Sequence, residues 1–168
     1  MPVVPLAGLP AGTLVLIDAN IFVYAFRELS TECERFLERC RAQQVFGATT
    51  LEVVNDVCHR LMLAEALDEG LIGRPAAAAL AGKRDAIRRL HRYWPLTIQI
   101  FEMNIAVLAL QEARVRRAHT VRTSYGLLTT DSLLVAAAEE NSIENLVTLD
   151  SDFDRIPGLT VYKPTDLS

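Results

Sequence analysis

Apolar residues run unbroken through Leu14-Val15-Leu16-Ile17 and stop at Asp18. A short run of this kind predicts a strand buried on both faces, as in a parallel sheet. The pattern recurs in Asn145-Leu146-Val147-Thr148-Leu149-Asp150, a second strand running into an acid. Val45-Phe46-Gly47-Ala48 and Leu159-Thr160-Val161-Tyr162 are further short strand candidates. Stretches of helical period lie between them. Ile21 to Phe26 predicts a short helix, and Thr31 to Gln43 a second one, capped by Ser30, with Cys33, Phe36, Leu37 and Cys40 on one face. Thr49-Thr50 opens a long helix that runs to about Leu67, where Asp68-Glu69-Gly70 stops it. Pro75 to about Tyr93 reads as one more helix, with proline in its first turn and Pro95 beyond its end. The pattern then predicts an extended segment over Thr97 to Phe101 and a helix over Glu102 to Ala118. Thr129 to Glu140 is apolar almost all round and predicts a buried helix. Strands interleaved with helices make the fold class α/β.

At 168 residues the chain has room for a single domain, residues 13–168, with one full core. Residues 1–12 hold Pro2, Pro5, Gly8, Pro10 and Gly12, and predict an arm rather than a regular element. Cys33, Cys40 and Cys58 are odd in number and lack metal-ligand spacing, so they read as helix residues in a reducing compartment. Neither a signal segment nor an apolar run of membrane-spanning length is visible, which predicts a cytoplasmic protein without a membrane partner. The net charge of −4 excludes binding of a polyanion by the surface as a whole. Contact with phosphate is left to local basic clusters, Lys83 to Arg92 and Arg114, Arg116, Arg117 and Arg122, or to bound metal.

The acids carry the candidate chemistry. Asp18 and Asp150 each end a strand, Asp131 lies in the first turn of a helix, and Glu52 and Asp56 share one face of the long helix. In a parallel sheet the carboxyl ends of the strands share one edge, which is where ligands bind in open α/β folds. Carboxylates that converge there repel one another unless a cation lies between them. All-oxygen ligation without histidine suits Mg²⁺ or Mn²⁺ rather than Zn²⁺. Such ions bind phosphate oxygens and activate water, and the chemistry implied is hydrolysis of a phosphodiester. The plainer alternative is that Asp18 and Asp131 only cap helices, and that Asp152 and Asp154 are solvated turn residues.

Three segments resemble the PIN-domain nucleases. Val15-Leu16-Ile17-Asp18-Ala19-Asn20-Ile21-Phe22-Val23-Tyr24-Ala25 is similar to the family's opening motif, and Thr130-Asp131 to Ala138 resembles its Asp-led, alanine-rich helix. Thr148-Leu149-Asp150-Ser151-Asp152-Phe153 resembles its closing turn. The resemblance implies a three-layer α/β/α sandwich on a central parallel sheet. It implies Mg²⁺ or Mn²⁺ held by Asp18, Asp56, Asp131 and Asp150, with Asn20 and Thr148 orienting the acids; Asp152 and Glu52 are further candidate ligands. The family usually has Glu where Asn55-Asp56-Val57-Cys58-His59-Arg60-Leu61 places Asp56, and Glu52, one turn earlier, is the other candidate. Residues 71–95 extend beyond a minimal PIN domain and read as a helical elaboration. Small stand-alone members resemble VapC toxins, which implies a metal-dependent endoribonuclease with an RNA substrate, a cognate antitoxin and a homodimeric state. Two other readings remain: a PIN fold that binds RNA without cutting it, and a phosphoacceptor receiver-like domain, for which Lys163-Pro164 after the last strand speaks.

Overall fold

The computed structural model describes residues 3–167. Strands β1 (Val3–Pro5), β2 (Leu14–Ile17), β3 (Phe46–Thr50), β4 (Ala106–Leu108), β5 (Asn145–Val147) and β6 (Thr160–Lys163) form one sheet in the order β1-β6-β5-β2-β3-β4. Every pairing is parallel. Parallel neighbours require crossovers, which here are supplied by helices α1 (Ala19–Phe26), α2 (Thr31–Arg41), α3 (Leu51–Asp68), α4 (Ala77–Leu80), α5 (Arg84–Arg89), α6 (Tyr93–Ile98), α7 (Glu112–Tyr125) and α8 (Thr129–Glu140). The result is the α/β/α sandwich expected from the sequence.

The sheet puts a crevice beside β2. From β2 the chain moves outward through β3 and β4, then returns to lay β5 and β6 on the other side of β2. Such a reversal opens a gap at the carboxyl ends of the strands on either side of it, and that gap is the usual ligand site of a parallel sheet. Val15, Leu16 and Ile17 are fully buried, as their unbroken apolar run requires. Caps set the helix starts: the Ser30 hydroxyl accepts from the Cys33 N–H at 3.0 Å, and the Thr50 hydroxyl from the Val53 N–H at 3.3 Å. Cys33 and Cys40 are core residues on α2, and burial pushes their thiols up to about 11 and about 12. Among the described residues no helix is long and apolar enough to cross a membrane.

Four elements differ from the sequence pattern. The expected arm contains β1, which pairs with β6 at the edge of the sheet; residues 1 and 2 of that arm lie outside the described residues. The helix expected over Pro75 to Tyr93 is two short ones, α4 and α5, broken at Gly82, whose φ of +79° ends the first segment, and at Leu90, with Tyr93 opening α6. Pro95 lies in the first turn of α6, where a missing N–H costs nothing, rather than beyond a helix end. Thr97 to Phe101 is helical, running from α6 into a 3₁₀ turn at Gln99–Glu102. The helix expected from Glu102 is replaced by β4 and a later start at Glu112, because Ala106 to Leu108 finds a partner in β3 that short-range periodicity does not reveal.

A second, smaller core of Leu63, Ala66, Ile72, Leu80, Ala86 and Leu90 lies under the elaboration. Glu65 fixes this region to α3. Its carboxylate accepts from the backbone N–H groups of His91 (2.8 Å), Arg92 (3.0 Å) and Tyr93 (2.8 Å), which holds the N-terminus of α6.

Candidate active site

Asp18 stands where β2 gives way to α1, and its backbone N–H donates to the Val147 carbonyl at 3.1 Å, tying it to the end of β5. Both carboxylate oxygens are engaged: Oδ1 accepts from the Ala19 N–H at 2.7 Å, while Oδ2 accepts from Asn20 Nδ2 at 2.7 Å and from the Thr148 hydroxyl at 2.6 Å. Thr148 Oγ1 in turn accepts from Asn20 Nδ2 at 3.2 Å and from the Asp150 N–H at 3.0 Å. Asn20 Oδ1 accepts from the Leu149 N–H at 3.1 Å. Asn20 and Thr148 therefore lock the Asp18 carboxylate to the loop that carries Asp150. Removing the buried hydroxyl with Thr148→Val keeps the side-chain shape and the strand, and is expected to cost about 1–2 kcal/mol in urea unfolding.

The acids crowd one another. Burial is the main cause that raises the pKa of Asp131, followed by the charges of Asp18, Asp150 and Asp152, and together they push it up to about 6. Burial also raises Asp18, opposed by its hydrogen bonds from Thr148 and Ala19 and by the charge of Arg60, with Asp150 adding a smaller push upward. Thr148 ties the Asp18 carboxylate to the Asp150 backbone, and Asp131 lies within reach of their charges. Asp18, Asp131, Asp150 and Asp152 are thus brought together from β2, α8 and the turn after β5. Asp150 also caps the 3₁₀ turn that follows, its Oδ1 accepting from the Asp152 N–H at 2.8 Å.

Asp56 and Glu52 point to different neighbours. Asp56 Oδ2 accepts from Arg60 Nε at 2.8 Å, one turn along α3, and the Arg60 charge opposes the rise of both Asp18 and Asp131. Asp56 therefore borders the crevice through Arg60. Glu52 instead has both carboxylate oxygens buried without a hydrogen bond, with Arg114 Nη1 at 4.0 Å. Arg114 is itself buried and donates from Nε to Glu140 at 2.7 Å, and Arg117 donates to Glu139 at 2.7 Å. These two arginines of the expected basic cluster are thus used in joining α7 to α8. Arg60 is the residue that the sequence pattern did not single out, although its i,i+4 spacing from Asp56 was the available signal. Lys163 is held by Asp154 at 2.8 Å, away from the role a receiver domain would give it.

Asp18, Asp131 and Asp150 offer hard oxygen atoms, with the Arg60 guanidinium facing Asp18 and Asp131, and that donor set fits a hard divalent cation. Another grouping, Glu65, Glu69 and His91, brings its donor atoms within 4.8 Å of one another. There the Glu65 oxygens are already taken by backbone N–H groups, and Arg92 stands 3.7 Å from Glu69. That grouping is a clamp rather than a metal centre.

The family model described as "PIN domain" matches residues 15–159. The chain belongs to the PIN-domain family. PIN domains are generally nucleases, so hydrolysis of nucleic acid is the activity expected at the level of the family. Two solved structures share the fold of this PIN domain. VapBC2 from Rickettsia felis bound to a promoter DNA fragment is 17% identical, with a TM-score of 0.57, over 90% of this chain and 98% of that one. A toxin–antitoxin complex from Klebsiella pneumoniae is 21% identical, with a TM-score of 0.54, over 87% and 95%. No curated protein matches the chain by sequence.

Proposed function

We propose that this PIN domain is a metal-dependent endoribonuclease and the toxin of a toxin–antitoxin pair, acting in the cytoplasm as a homodimer held in check by a cognate antitoxin. The observation that carries the catalytic part is the crowding of Asp18, Asp131 and Asp150 at the carboxyl edge of the sheet, with Asp131 raised to about 6. A site with this much unbalanced negative charge is built to be completed by a cation. The toxin–antitoxin complexes that share the fold support the partner.

Asp18, Asp131 and Asp150 would hold Mg²⁺ or Mn²⁺, with Asp56 and Asp152 at its edge. When bound, such an ion supplies charge for the phosphoryl oxygens and a water of lowered pKa. The chain's own residues set the geometry. Thr148 and Asn20 fix the Asp18 carboxylate, so that its orientation does not have to be found during the reaction. Asp56 holds Arg60 beside the acids, where its guanidinium is placed to meet the negative charge of a phosphate.

Cleavage of an RNA pool with Mg²⁺, with Mn²⁺ and with EDTA tests the proposal. Metal-dependent cleavage is the expected result, and none from the folded protein would reject it. Asp56→Asn is expected to lower the rate about 10- to 100-fold, through loss of a ligand and release of Arg60. Glu52→Gln leaves the rate within about 3-fold, since Glu52 faces Arg114 rather than the crevice. The Asp56–Arg60 pair also favours a second reading, a PIN fold that binds RNA without cutting it, because an acid engaged by a guanidinium is less free to ligate metal. RNA binding without cleavage under either metal would select it.

A further inference from the structure

Positive charge on this chain is concentrated in the elaboration. Arg74, Lys83, Arg84, Arg88, Arg89 and Arg92 stand there against one acid, Asp85, which puts +5 on residues 74–92 of a chain whose net charge is −4 and leaves −9 on the rest. All six cations are exposed. Among the described residues, only Arg88 and Arg92 of the six come within ion-pair distance of a carboxylate. Arg88 faces Asp85 at 3.2 Å with both groups in solvent, and Arg92 stands 3.7 Å from Glu69 and 3.8 Å from Glu65. A solvated pair of this kind holds little energy and opens readily. Arg114 and Arg117 of the other basic cluster are by contrast spent on Glu140 and Glu139.

The patch is firmly based and lies in line with the candidate site. Ala86 and Leu90 sink into the small core, and Lys83 Nζ donates to the Leu71 carbonyl at 2.8 Å. Glu65 holds the backbone from His91 to Tyr93. Lys83, Arg84, Arg88 and Arg89 line a shallow hollow of about 580 Å³. Asn55 and His59 line an open cleft beside Asp56, and Met62 and Ala66, on the same face of α3, carry the core under the elaboration. Asp56 and Ala66 are about 15 Å apart along the helix axis, a distance that a few nucleotides span.

We propose that residues 74–92 are a docking surface for the phosphate backbone of the nucleic-acid substrate, engaging it several nucleotides away from the phosphate at the acids, so that the chain binds long substrates more tightly than short ones. The proposal rests on the nuclease reading above. Guanidinium groups match phosphate oxygens in shape and charge. The remaining −9 repels a polyanion, and a local basic patch offsets that repulsion on one side only, which sets the direction in which the substrate lies. Contacts so far from the reacting phosphate are the same in ground and transition states, so they act on KM and not on kcat.

The test compares wild type with the double variant Arg84→Gln/Arg89→Gln and with a control of equal net charge, Arg35→Gln/Arg41→Gln, whose arginines are also exposed but lie on α2. None of the four touches the core, and thermal melting checks the folds. Substrates are RNAs of about 40 and about 4 nucleotides, with Mg²⁺. The patch variant is expected to raise KM for the long RNA roughly 5- to 10-fold, to leave KM for the short one and both kcat values within about 3-fold, and to lower the slope of log affinity against log salt by about 1 to 2. The control is expected to follow wild type. Unchanged KM and salt slope in the patch variant overturn the proposal, as does an equal loss in the control, which would make the effect one of net charge. So does a patch variant that keeps wild-type KM but loses a co-expressed acidic protein, which would give the patch to that partner. If the wild type cleaves neither RNA, the nuclease reading has failed, and the patch is judged by binding of the long RNA in EDTA: weaker binding in the patch variant than in the control supports it, and equal binding rejects it.

Discussion

Asp131→Asn is expected to lower RNA cleavage by at least about 100-fold and, in EDTA, to raise the melting temperature above that of wild type at pH 7 to 8. The two effects share one cause. Asp131 is raised from its ordinary value to about 6 by burial and by the charges of Asp18, Asp150 and Asp152. An acid whose pKa is higher folded than unfolded holds its proton more tightly in the folded state. Its favourable contribution is therefore complete below the ordinary aspartate value and is lost as the pH rises through about 6. Asp18, raised in the same direction, adds to the slope. Metal-free wild type should thus melt progressively lower from pH 4 to pH 7, on the order of a few degrees, whereas Asp131→Asn should show a shallower decline. Added Mg²⁺ should restore the wild type and leave the variant unmoved. A variant that melts no higher than wild type at pH 7.5 in EDTA would show that the crowding is not a strain on the fold, and would remove the main argument for a cation there.

Asp18→Asn separates charge from hydrogen bonding. Its carboxylate accepts from Ala19, Asn20 and Thr148, and an amide cannot accept at both positions. Cleavage should fall as far as in Asp131→Asn, but without the gain in melting temperature, because relief of repulsion is offset by the mismatched amide.

Asp18 and Asp150 were legible in the sequence because the signal is local: a buried parallel strand is a continuous apolar run, and an acid that ends it must lie at the carboxyl edge. The helix from Thr129 to Glu140 was legible for the same reason, its apolar character being complete within its own length. What was not legible depended on contacts from far along the chain. Strand β4 is only Ala106–Leu108 and exists because β3 pairs with it. The role of Arg60 depends on which way α3 faces, and that is set by packing rather than by its own pattern. Glu52 and Asp56 look equivalent as an i,i+4 pair, and only the positions of Arg114 and Arg60 tell them apart. The elaboration departs from the expected single helix at Gly82, which takes a positive φ, and at its far end, where Glu65 of α3 holds the backbone of His91, Arg92 and Tyr93.

That residue provides the prediction of largest effect on stability. Glu65→Ala is expected to cost about 2–4 kcal/mol, which for a domain of this size lowers the melting temperature by roughly 5 to 15 °C. Glu65 is only 3% exposed, and burial alone would raise its pKa, but the N–H groups of Arg92, His91 and Tyr93, and then the Arg92 charge, hold it below the ordinary value. Removal of the carboxylate leaves the first backbone donors of α6 without their partner and opens one side of the small core formed by Leu63, Ala66, Ile72, Leu80, Ala86 and Leu90. The sign of the pH dependence is opposite to that of Asp131: a lowered acid contributes its full stability above the unfolded value of about 4.3 and loses it as the pH falls through the lower folded one. Glu65→Gln should lie between, since an amide keeps one acceptor but turns N–H groups toward N–H groups. Because Trp94 lies in the first turn of the clamped helix, its fluorescence should shift as that turn loosens, at temperatures below the main unfolding step. A Glu65→Ala chain that melts within about 2 °C of wild type would mean that the elaboration is held by its apolar core alone.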